Sequence, residues 1–219
     1  MSAVIPPFGL PRRAFLFTGL CALAAPAMAA SGPPRLAFAV MRNGKKIGEQ
    51  SMTFETGDEL VVHTVAEMAV KVGPISLYRY RHEATERWRG DAFDSLQTRT
   101  DDNGRLLQVS ARRDREGVRI VQTSGAAISA PAQSLPFTHW NRRIAAAPLF
   151  NPQDGKLVKE RGMATGRGVV TLADGSSRPA EGVAFHGEVQ ILDWYDADGV
   201  WTGLEGRLKD GSTLVYRRL

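Results

Sequence analysis

The segment from Leu77 to Trp88 constrains the fold most, because its side chains separate by chemical type at a period of two. Aromatic and small residues occupy every second position from Tyr78, and arginine, glutamate and threonine fill the positions between them. This alternation is typical of an antiparallel strand with one packed face and one solvated face. Glu86 is the exception, since it falls on the aromatic face. A buried carboxylate needs a partner, so we expect Glu86 to lie near a sheet rim or to pair with a cation.

Asn-Gly and Asp-Gly pairs recur along the chain between short runs of alternating polarity. These pairs accept the positive φ angles of tight hairpin turns, so they mark reversals of strand direction. The sequence therefore predicts an all-β fold, a single antiparallel meander of about a dozen strands that forms a curved or half-closed barrel or sandwich. We expect one domain with an early sheet and a late sheet, and two stacked halves are the alternative.

A small-residue segment at 124–136 interrupts the strand pattern and is predicted to be a loop that crosses the molecule. It is followed by the one segment whose composition favours a helix, near residues 139–147. Thr138 is a plausible cap for this helix and Pro148 a plausible stop.

Residues 1–29 are predicted to be an export signal, and the single β domain then spans residues 30–219. Arg12 and Arg13 precede an apolar run from Phe15 to Ala25, and Ala27-Met28-Ala29 has the small residues that a signal peptidase accepts. We therefore expect a periplasmic or secreted protein, cleaved near Ala29 and Ala30. The apolar run is too short to span a membrane, which takes roughly 20 residues, and no later run is longer.

The export route has two candidates. Arg12-Arg13-Ala14-Phe15-Leu16 resembles the twin-arginine export motif, although Pro11 stands where Ser or Thr is usual and Phe17 where Lys is usual. The general secretory route is the alternative.

Cysteine content and charge exclude several classes of protein. Cys21 is the only cysteine and lies inside the predicted signal, so the mature chain has no disulfide and no thiolate metal site. The net charge of +5 falls to +3 without Arg12 and Arg13, because every acidic residue lies downstream of them. This small, dispersed charge does not indicate a nucleic-acid partner.

The sequence contains no residue set that identifies a reaction. There is no Gly-x-Ser-x-Gly nucleophile motif. The four histidines, His63, His82, His139 and His186, stand singly, without the close His-His spacing of zinc enzymes. We therefore predict no catalytic residue, no metal and no cofactor, and the sequence leans toward a protein that is not an enzyme.

The aromatic residues are the most informative remaining feature. They pack the core of the sheet or, in the functional interpretation, a curved sheet encloses an apolar pocket in which Tyr hydroxyls and His82 orient a ligand. The candidate ligand-binding residues are Tyr78, Tyr80, His82, Trp88, Trp140 and Trp194. Arg79, Arg81 and Arg87 form the opposite face of the strand, either as solvated surface or as a patch for an anionic headgroup or glycan.

Three functional hypotheses follow from these observations. The leading one is a non-enzymatic periplasmic protein that binds an apolar or amphipathic, lipid-like ligand in a concave β-sheet. The alternative is an interaction or scaffold module of the cell envelope that acts through a sheet edge or the Arg-rich face. The third is a hydrolase that uses Glu86 with His82, which stand four residues apart on one strand face, roughly 13 Å by the rise per residue.

Several short motifs resemble a family of uncharacterised bacterial exported proteins, known as domains of unknown function. They are Asn43-Gly44 with Ile47-Gly48-Glu49, the Tyr-rich strand ending at Trp88, Asp102-Asn103-Gly104, Trp140 before Asn151-Pro152, and Trp194-Tyr195-Asp196 before Asp210-Gly211-Ser212. The resemblance covers most of the mature chain. It implies an antiparallel β fold, a location in the cell envelope and no established activity, and it transfers no catalytic residues.

Overall fold

The computed structural model describes residues 35–72, 75–187 and 190–219 as an all-β protein, which confirms the predicted fold class. The predicted export signal at residues 1–29 lies outside these residues. The strands are β1 (Arg35–Arg42), β2 (Lys45–Thr56), β3 (Leu60–Val72), β4 (Ile75–Arg89), β5 (Ala92–Asp102), β6 (Arg105–Arg113), β7 (Val118–Val121), β8 (Ala127–Ala130), β9 (Leu135–Pro136), β10 (Leu149–Phe150), β11 (Leu157–Val158), β12 (Gly162–Thr171), β13 (Ser177–Phe185), β14 (Gln190–Tyr195), β15 (Trp201–Arg207) and β16 (Thr213–Arg218).

Thirteen strands form one antiparallel sheet in the order β12-β13-β14-β15-β16-β1-β2-β3-β4-β5-β6-β7-β8. Each strand pairs with its neighbour in sequence, except that β16 pairs with β1 and places Val40 opposite Tyr216. The expectation of separate early and late sheets was therefore wrong. Backbone hydrogen bonds between the two ends of the domain join them, and such bonds leave no local sequence signal. In the described part of the chain the sheet does not close, and β12 and β8 remain its edges.

Hairpin turns set the register of the meander where the sequence predicted them. Asn43 and Gly44 between β1 and β2 have φ angles of 47° and 77°, and Asn103 and Gly104 between β5 and β6 have 53° and 91°. Two successive residues at positive φ define the tight turn whose twist matches that of the flanking strands. Asn tolerates this conformation and Gly adopts it without a steric penalty, so local chemistry fixes these two strand reversals.

Residues 131–160, here called the inner segment, pack against the inner face of the sheet. This segment contains the small β11-β10-β9 sheet and buries Ile144 and Phe150 completely. The Phe150 ring meets Phe93 of β5 edge to face at 5.9 Å. The Thr98 hydroxyl of β5 donates to the Pro152 carbonyl oxygen at 2.8 Å. The hydrophobic core therefore lies between the inner segment and the curved sheet.

The predicted helix near residues 139–147 is only a four-residue 3-10 helix, Arg142–Ala145. Its N-cap is Asn141, whose side chain accepts from the Arg143 amide, and not Thr138. Phe137 and Thr138 have no regular secondary structure, and His139 and Trp140 form a turn before the 3-10 helix. Phe137 packs on Phe185 and His139 bonds Asp193, whereas Thr138 and Trp140 both reach Glu86. Side chains two positions apart thus contact the same side of the molecule, which does not fit the periodicity of a helix.

Of two other local predictions, one was incomplete and one was confirmed. The segment predicted as a loop at 124–136 contains the short strands β8 and β9, of which β8 forms an edge of the main sheet. The strand β4 behaves as predicted, because His82, Ala84, Glu86 and Trp88 are buried on one face while the arginines between them are exposed.

Candidate ligand-binding cavity

A cavity of about 720 Å³ lies between the sheet and the inner segment. This volume falls within the range of small-molecule pockets, roughly 300 to 1,000 Å³. Its apolar wall comes from the sheet and from the inner segment, and consists chiefly of Met52, Phe137, Leu157, Val158, Phe185 and Ile191. Its polar wall includes Gln50, Thr64, Tyr80, His82, His139 and Tyr216. The cavity is therefore amphipathic in lining.

His139, which is partly buried, and Asp193, which is fully buried, form a hydrogen-bonded pair at the cavity wall. His139 Nδ1 lies 2.8 Å from Asp193 Oδ2, and the carboxylate is fully buried. Trp201 Nε1 donates to the other carboxylate oxygen at 3.0 Å, and its indole stacks on the imidazole with ring centroids 5.4 Å apart. Asp193 therefore fixes the orientation of the His139 ring. The Nε2 atom of His139 makes no hydrogen bond with any described residue and is left for the cavity.

His82, which also lines the cavity, is likewise held through Nδ1. Its Nδ1 lies 2.7 Å from the hydroxyl oxygen of Thr100, which is completely buried. Burial lowers the pKa of His82 to about 4, so the ring is neutral at neutral pH. The Tyr80 ring stacks on the imidazole at a centroid distance of 6.4 Å. His82 therefore presents an uncharged ring to the cavity.

Tyr80 and Tyr216 bring two phenol groups to the cavity. Burial raises the pKa of both hydroxyls above the usual range, so both stay protonated at physiological pH. The charges of Tyr80 and Asp193 also raise the pKa of Tyr216, which places its hydroxyl within electrostatic reach of both groups. Neither phenol oxygen is hydrogen-bonded to a described residue. Each remains free to donate a hydrogen bond to a ligand.

Thr64 adds a further polar atom without a partner. Its hydroxyl oxygen is buried, and it makes no hydrogen bond within the described part of the chain. An unpaired buried hydroxyl costs about 1 to 3 kcal/mol. Because Thr64 also lines the cavity, a ligand could satisfy it.

Glu86 lies deeper than the cavity and is enclosed by hydrogen-bond donors. It is completely buried. Its carboxylate accepts from Trp88 Nε1 at 3.1 Å, from Trp140 Nε1 at 3.2 Å and from the Thr138 hydroxyl at 3.4 Å. Burial raises its pKa to about 7, and the three donors limit that rise. The expectation of a rim position or a cationic partner was wrong, because two indoles supply the N–H groups that a cation would have supplied.

The hypothesis of a hydrolase built on Glu86 and His82 gains no support from this geometry. The oxygens of Glu86 are engaged by Trp88, Trp140 and Thr138, and Glu86 does not line the cavity that contains His82.

The structure brings together only part of the predicted ligand-binding set. Tyr80 and His82 line the cavity, and Trp140 neighbours the cavity residue His139 in the chain. Trp88 is a core residue. Tyr78 donates to Asp102 at 2.7 Å and Trp194 packs in a separate small cluster, and neither belongs to the cavity wall. Ligand binding by any of these residues remains a prediction.

The Arg-rich face of β4 is exposed, and most of its charge is locally balanced. Arg81 pairs with Glu67 and Glu83, and Arg87 pairs with Glu59. Arg79 is exposed, and its backbone N–H donates to the Asn103 side chain at 3.4 Å. Neighbouring carboxylates thus offset two of the three arginines, which favours the interpretation as solvated surface.

Sequence reasoning missed the His139–Asp193 pair and Tyr216. The available signal was an acidic residue at an inward position of an apolar strand, Ile191-Leu192-Asp193. A buried acid implies a partner, but the partner stands 54 positions away. Only the fold of the inner segment brings the two side chains together.

The described residues also lack two features, a metal-binding cluster and a membrane-spanning helix. They contain no group of three or more His, Cys, Asp or Glu side chains arranged to hold a metal ion. None of their helices has the length and apolar character needed to cross a lipid bilayer.

The fold and cavity together define a class: a β-barrel-like protein in which an open, curved meander surrounds an inner segment. Residues 38–219 match the family described as Domain of unknown function (DUF6134), and the chain belongs to that family. The predicted resemblance to an uncharacterised β-rich family is thereby confirmed. Among curated proteins, none matches the sequence.

A solved structure shares the fold. The crystal structure of a beta-barrel-like protein of the domain of unknown function DUF1849 from Brucella abortus is similar to this chain with a TM-score of 0.60. The two are 8% identical, and the similarity covers 86% of this chain and 96% of that chain. At this identity the similarity concerns the fold alone.

Proposed function

We propose that this protein is an exported, non-enzymatic binding protein that holds one amphipathic, lipid-like molecule in the cavity between the sheet and the inner segment. The observation that carries the proposal is the set of uncommitted polar atoms on Tyr80, His82, His139 and Tyr216 in a cavity of about 720 Å³. Each imidazole is fixed through Nδ1 and leaves Nε2 to the cavity. A polar group there and a hydrocarbon chain against the apolar wall would match the lining.

Apolar burial gives this proposal a quantitative test. Each methylene transferred from water to an apolar wall contributes about 0.8 kcal/mol, or about fourfold in affinity. We expect 1-decanol to bind about fifteenfold more tightly than 1-octanol, because it buries two more methylenes. Isothermal titration calorimetry of both alcohols measures this ratio. Absence of binding by either alcohol, or equal affinities, would contradict the proposal.

A matched pair of substitutions locates the binding site. Ile191 is half-buried on β14 and lines the cavity, so Ile191→Trp should fill part of it and weaken decanol binding at least tenfold. Val169 on β12 has 63% of its surface exposed and lies outside the cavity wall, so Val169→Trp should leave binding unchanged. Equal effects of the two substitutions would place the bound alcohol elsewhere. Thermal unfolding of each variant checks that both remain folded.

Export is the second part of the proposal, and it is supported by the signal-like sequence at residues 1–29. Fractionation of cells that produce the full chain should recover a shortened protein from the periplasm. Replacement of Arg12 and Arg13 by Lys should block that recovery if the twin-arginine route is used, whereas the general secretory route tolerates the change. A full-length protein retained in the cytoplasm would contradict export.

A further inference from the structure

The hydrogen bonds of the His139–Asp193 pair restrict the kind of polar group that the cavity accepts. Nδ1 of His139 faces a fully buried carboxylate, and among the described residues the other donor to that carboxylate is the neutral indole of Trp201. No Lys or Arg of the described chain forms an ion pair with Asp193. Asp193 thus places an unbalanced negative charge behind the imidazole. The imidazole therefore links this buried carboxylate to the cavity wall.

Three further side chains near the His139 ring carry no charge. Tyr216 extends the aromatic row, with its ring 5.9 Å from Trp201, and its hydroxyl stays protonated. The Tyr195 hydroxyl donates to the backbone carbonyl of His139 at 2.9 Å. Phe137 covers the imidazole at a centroid distance of 5.0 Å. None of these groups supplies a negative charge that would compete for Nε2.

Ionisable groups on the neighbouring residues include an ion pair and the enclosed carboxyl group of Glu86. The Arg142 guanidinium lies 5.7 Å from the Tyr195 ring centroid and pairs with Glu181 at 2.7 Å. Glu86 is bonded to the neighbouring residues Thr138 and Trp140. Of the acids lining the cavity, Asp154 pairs with Lys156 at 2.9 Å, and Glu160 lies beside Gly187. With Nδ1–H donated to Asp193, Nε2 of His139 accepts a hydrogen bond when the ring is neutral and donates one when the ring is protonated, whereas the Tyr216 hydroxyl can donate.

We propose that the polar group of the bound molecule is a carboxylate, held by Nε2 of His139 and by the Tyr216 hydroxyl, so that the ligand is an alkyl carboxylate such as a fatty acid. This inference rests on the proposed binding function. The bound carboxylate and Asp193 would then lie on opposite sides of one imidazole. A proton taken from solvent onto His139 completes a carboxylate–imidazolium–carboxylate bridge, in which both ring nitrogens donate charge-assisted hydrogen bonds.

His139 could instead have a purely structural role, which leads to a different expectation. Fixing the inner segment to β14 needs only the Nδ1 bond to Asp193. If this were its only role, replacing His139 would not change the preference of the cavity for one ligand headgroup over another. Headgroup selectivity, and not stability, therefore separates the two interpretations.

The experiment compares three probes of equal chain length: decanoate, 1-decanol and decyltrimethylammonium. Calorimetric titration at pH 6 should show decanoate binding roughly tenfold more tightly than decanol, since hydrogen bonds to charged groups are stronger than neutral ones. The cation should bind most weakly. Titration in two buffers of different ionisation enthalpy should show proton uptake with decanoate and none with decanol. The advantage of decanoate should shrink by pH 8, because the proton is then less available.

Two variants and one control assign this selectivity to the pair. His139→Asn and Asp193→Asn should each remove most of the advantage of decanoate over decanol. His63→Gln is the control, because His63 bonds Thr85 at 3.1 Å and lies outside the cavity wall. Asp193→Asn keeps one oxygen that can accept from His139 but removes the negative charge. It therefore tests whether that charge causes the selectivity, even if His139→Asn fails to fold.

The outcomes separate the two proposals. Decanol that binds as tightly as decanoate overturns the carboxylate inference and leaves the binding function intact. A decanoate advantage that survives His139→Asn assigns the anion to another residue, such as Lys159, and also overturns it. Failure of all three probes to bind overturns the binding function itself.

Discussion

Trp140 Nε1 donates to Glu86 Oε1 at 3.2 Å across 54 positions of sequence. Trp88 and Thr138 complete the set of donors, so the carboxylate is bound by residues from β4 and from the inner segment. This contact attaches the wall of the cavity to the sheet. Indole N–H groups can only donate, so they match a carboxylate acceptor.

The pH dependence of stability should carry the signature of Glu86. Its pKa rises from 4.5 to about 7 on folding, so between these values the folded state holds a proton that the unfolded state has released. The resulting stabilisation is complete below pH 4.5 and is lost as pH rises to about 7. It amounts to about 3 kcal/mol. Urea unfolding between pH 4.5 and 7 should show that Glu86→Gln does not lose this stabilisation. If the unfolding free energies of the wild type and the variant change equally with pH, Glu86 is not the group responsible.

The contribution of His82 to stability should change with pH in the opposite direction, over an overlapping pH range. Its pKa falls from 6.5 to about 4, so the unfolded state binds the extra proton between these values. Its contribution is complete above pH 6.5 and is lost as pH falls toward 4, again by about 3 kcal/mol. Between pH 4.5 and 6.5 the two groups oppose one another, and the wild type should show little net change.

His82→Asn exposes this cancellation, because Asn can keep the bond to the Thr100 hydroxyl while removing the titrating ring. Its stability should fall with rising pH in urea titrations, whereas that of Glu86→Gln should increase. If the unfolding free energies of the two variants change with pH in the same direction, Glu86 and His82 do not offset each other in the wild type.

Trp140→Phe tests the indole donor directly. The phenyl ring can retain the edge contacts with Phe54 and Trp88, at 5.4 Å and 5.5 Å, but it cannot donate to Glu86. We expect an extra loss of about 1.5 to 3 kcal/mol at pH 8 relative to pH 5, because the donor matters most when Glu86 is charged. Trp194→Phe is the control, since its indole bonds the exposed Glu205 at 3.2 Å. In denaturant titrations, the loss of unfolding free energy in Trp194→Phe should be the same at pH 5 and at pH 8.

Arg81→Ala tests whether the Arg-rich face contributes to the fold. Arg81 is half exposed and pairs with Glu67 and Glu83. Exposed ion pairs contribute roughly 0 to 1 kcal/mol and weaken with salt. We expect an unfolding free energy within about 1 kcal/mol of the wild type, with a difference that shrinks in high salt. A larger, salt-independent loss would indicate a structural role for this face.

Several parts of the fold could be predicted because their causes are local. The period-two pattern of β4 placed His82 and Trp88 on the packed face, and the Asn-Gly turns placed the hairpins. The 3-10 helix was harder to predict, because four residues leave too little periodicity to distinguish it from an α-helix. The candidate site was predicted only in part. Tyr80 and His82 lie on β4 and were found, whereas Tyr216 and His139 lie on elements that meet β4 only through long-range packing.

The sequence by itself determined most strands of the meander, their turns and the alternation of faces along them, because backbone preference and side-chain alternation act within a few residues. Tertiary structure decided that β16 pairs with β1, that the inner segment lies against the sheet, and that Glu86 and Asp193 find their partners there. These contacts join residues separated by 50 positions or more. They form because this folded arrangement buries more apolar surface than other arrangements of the chain, and no local sequence pattern contains that information.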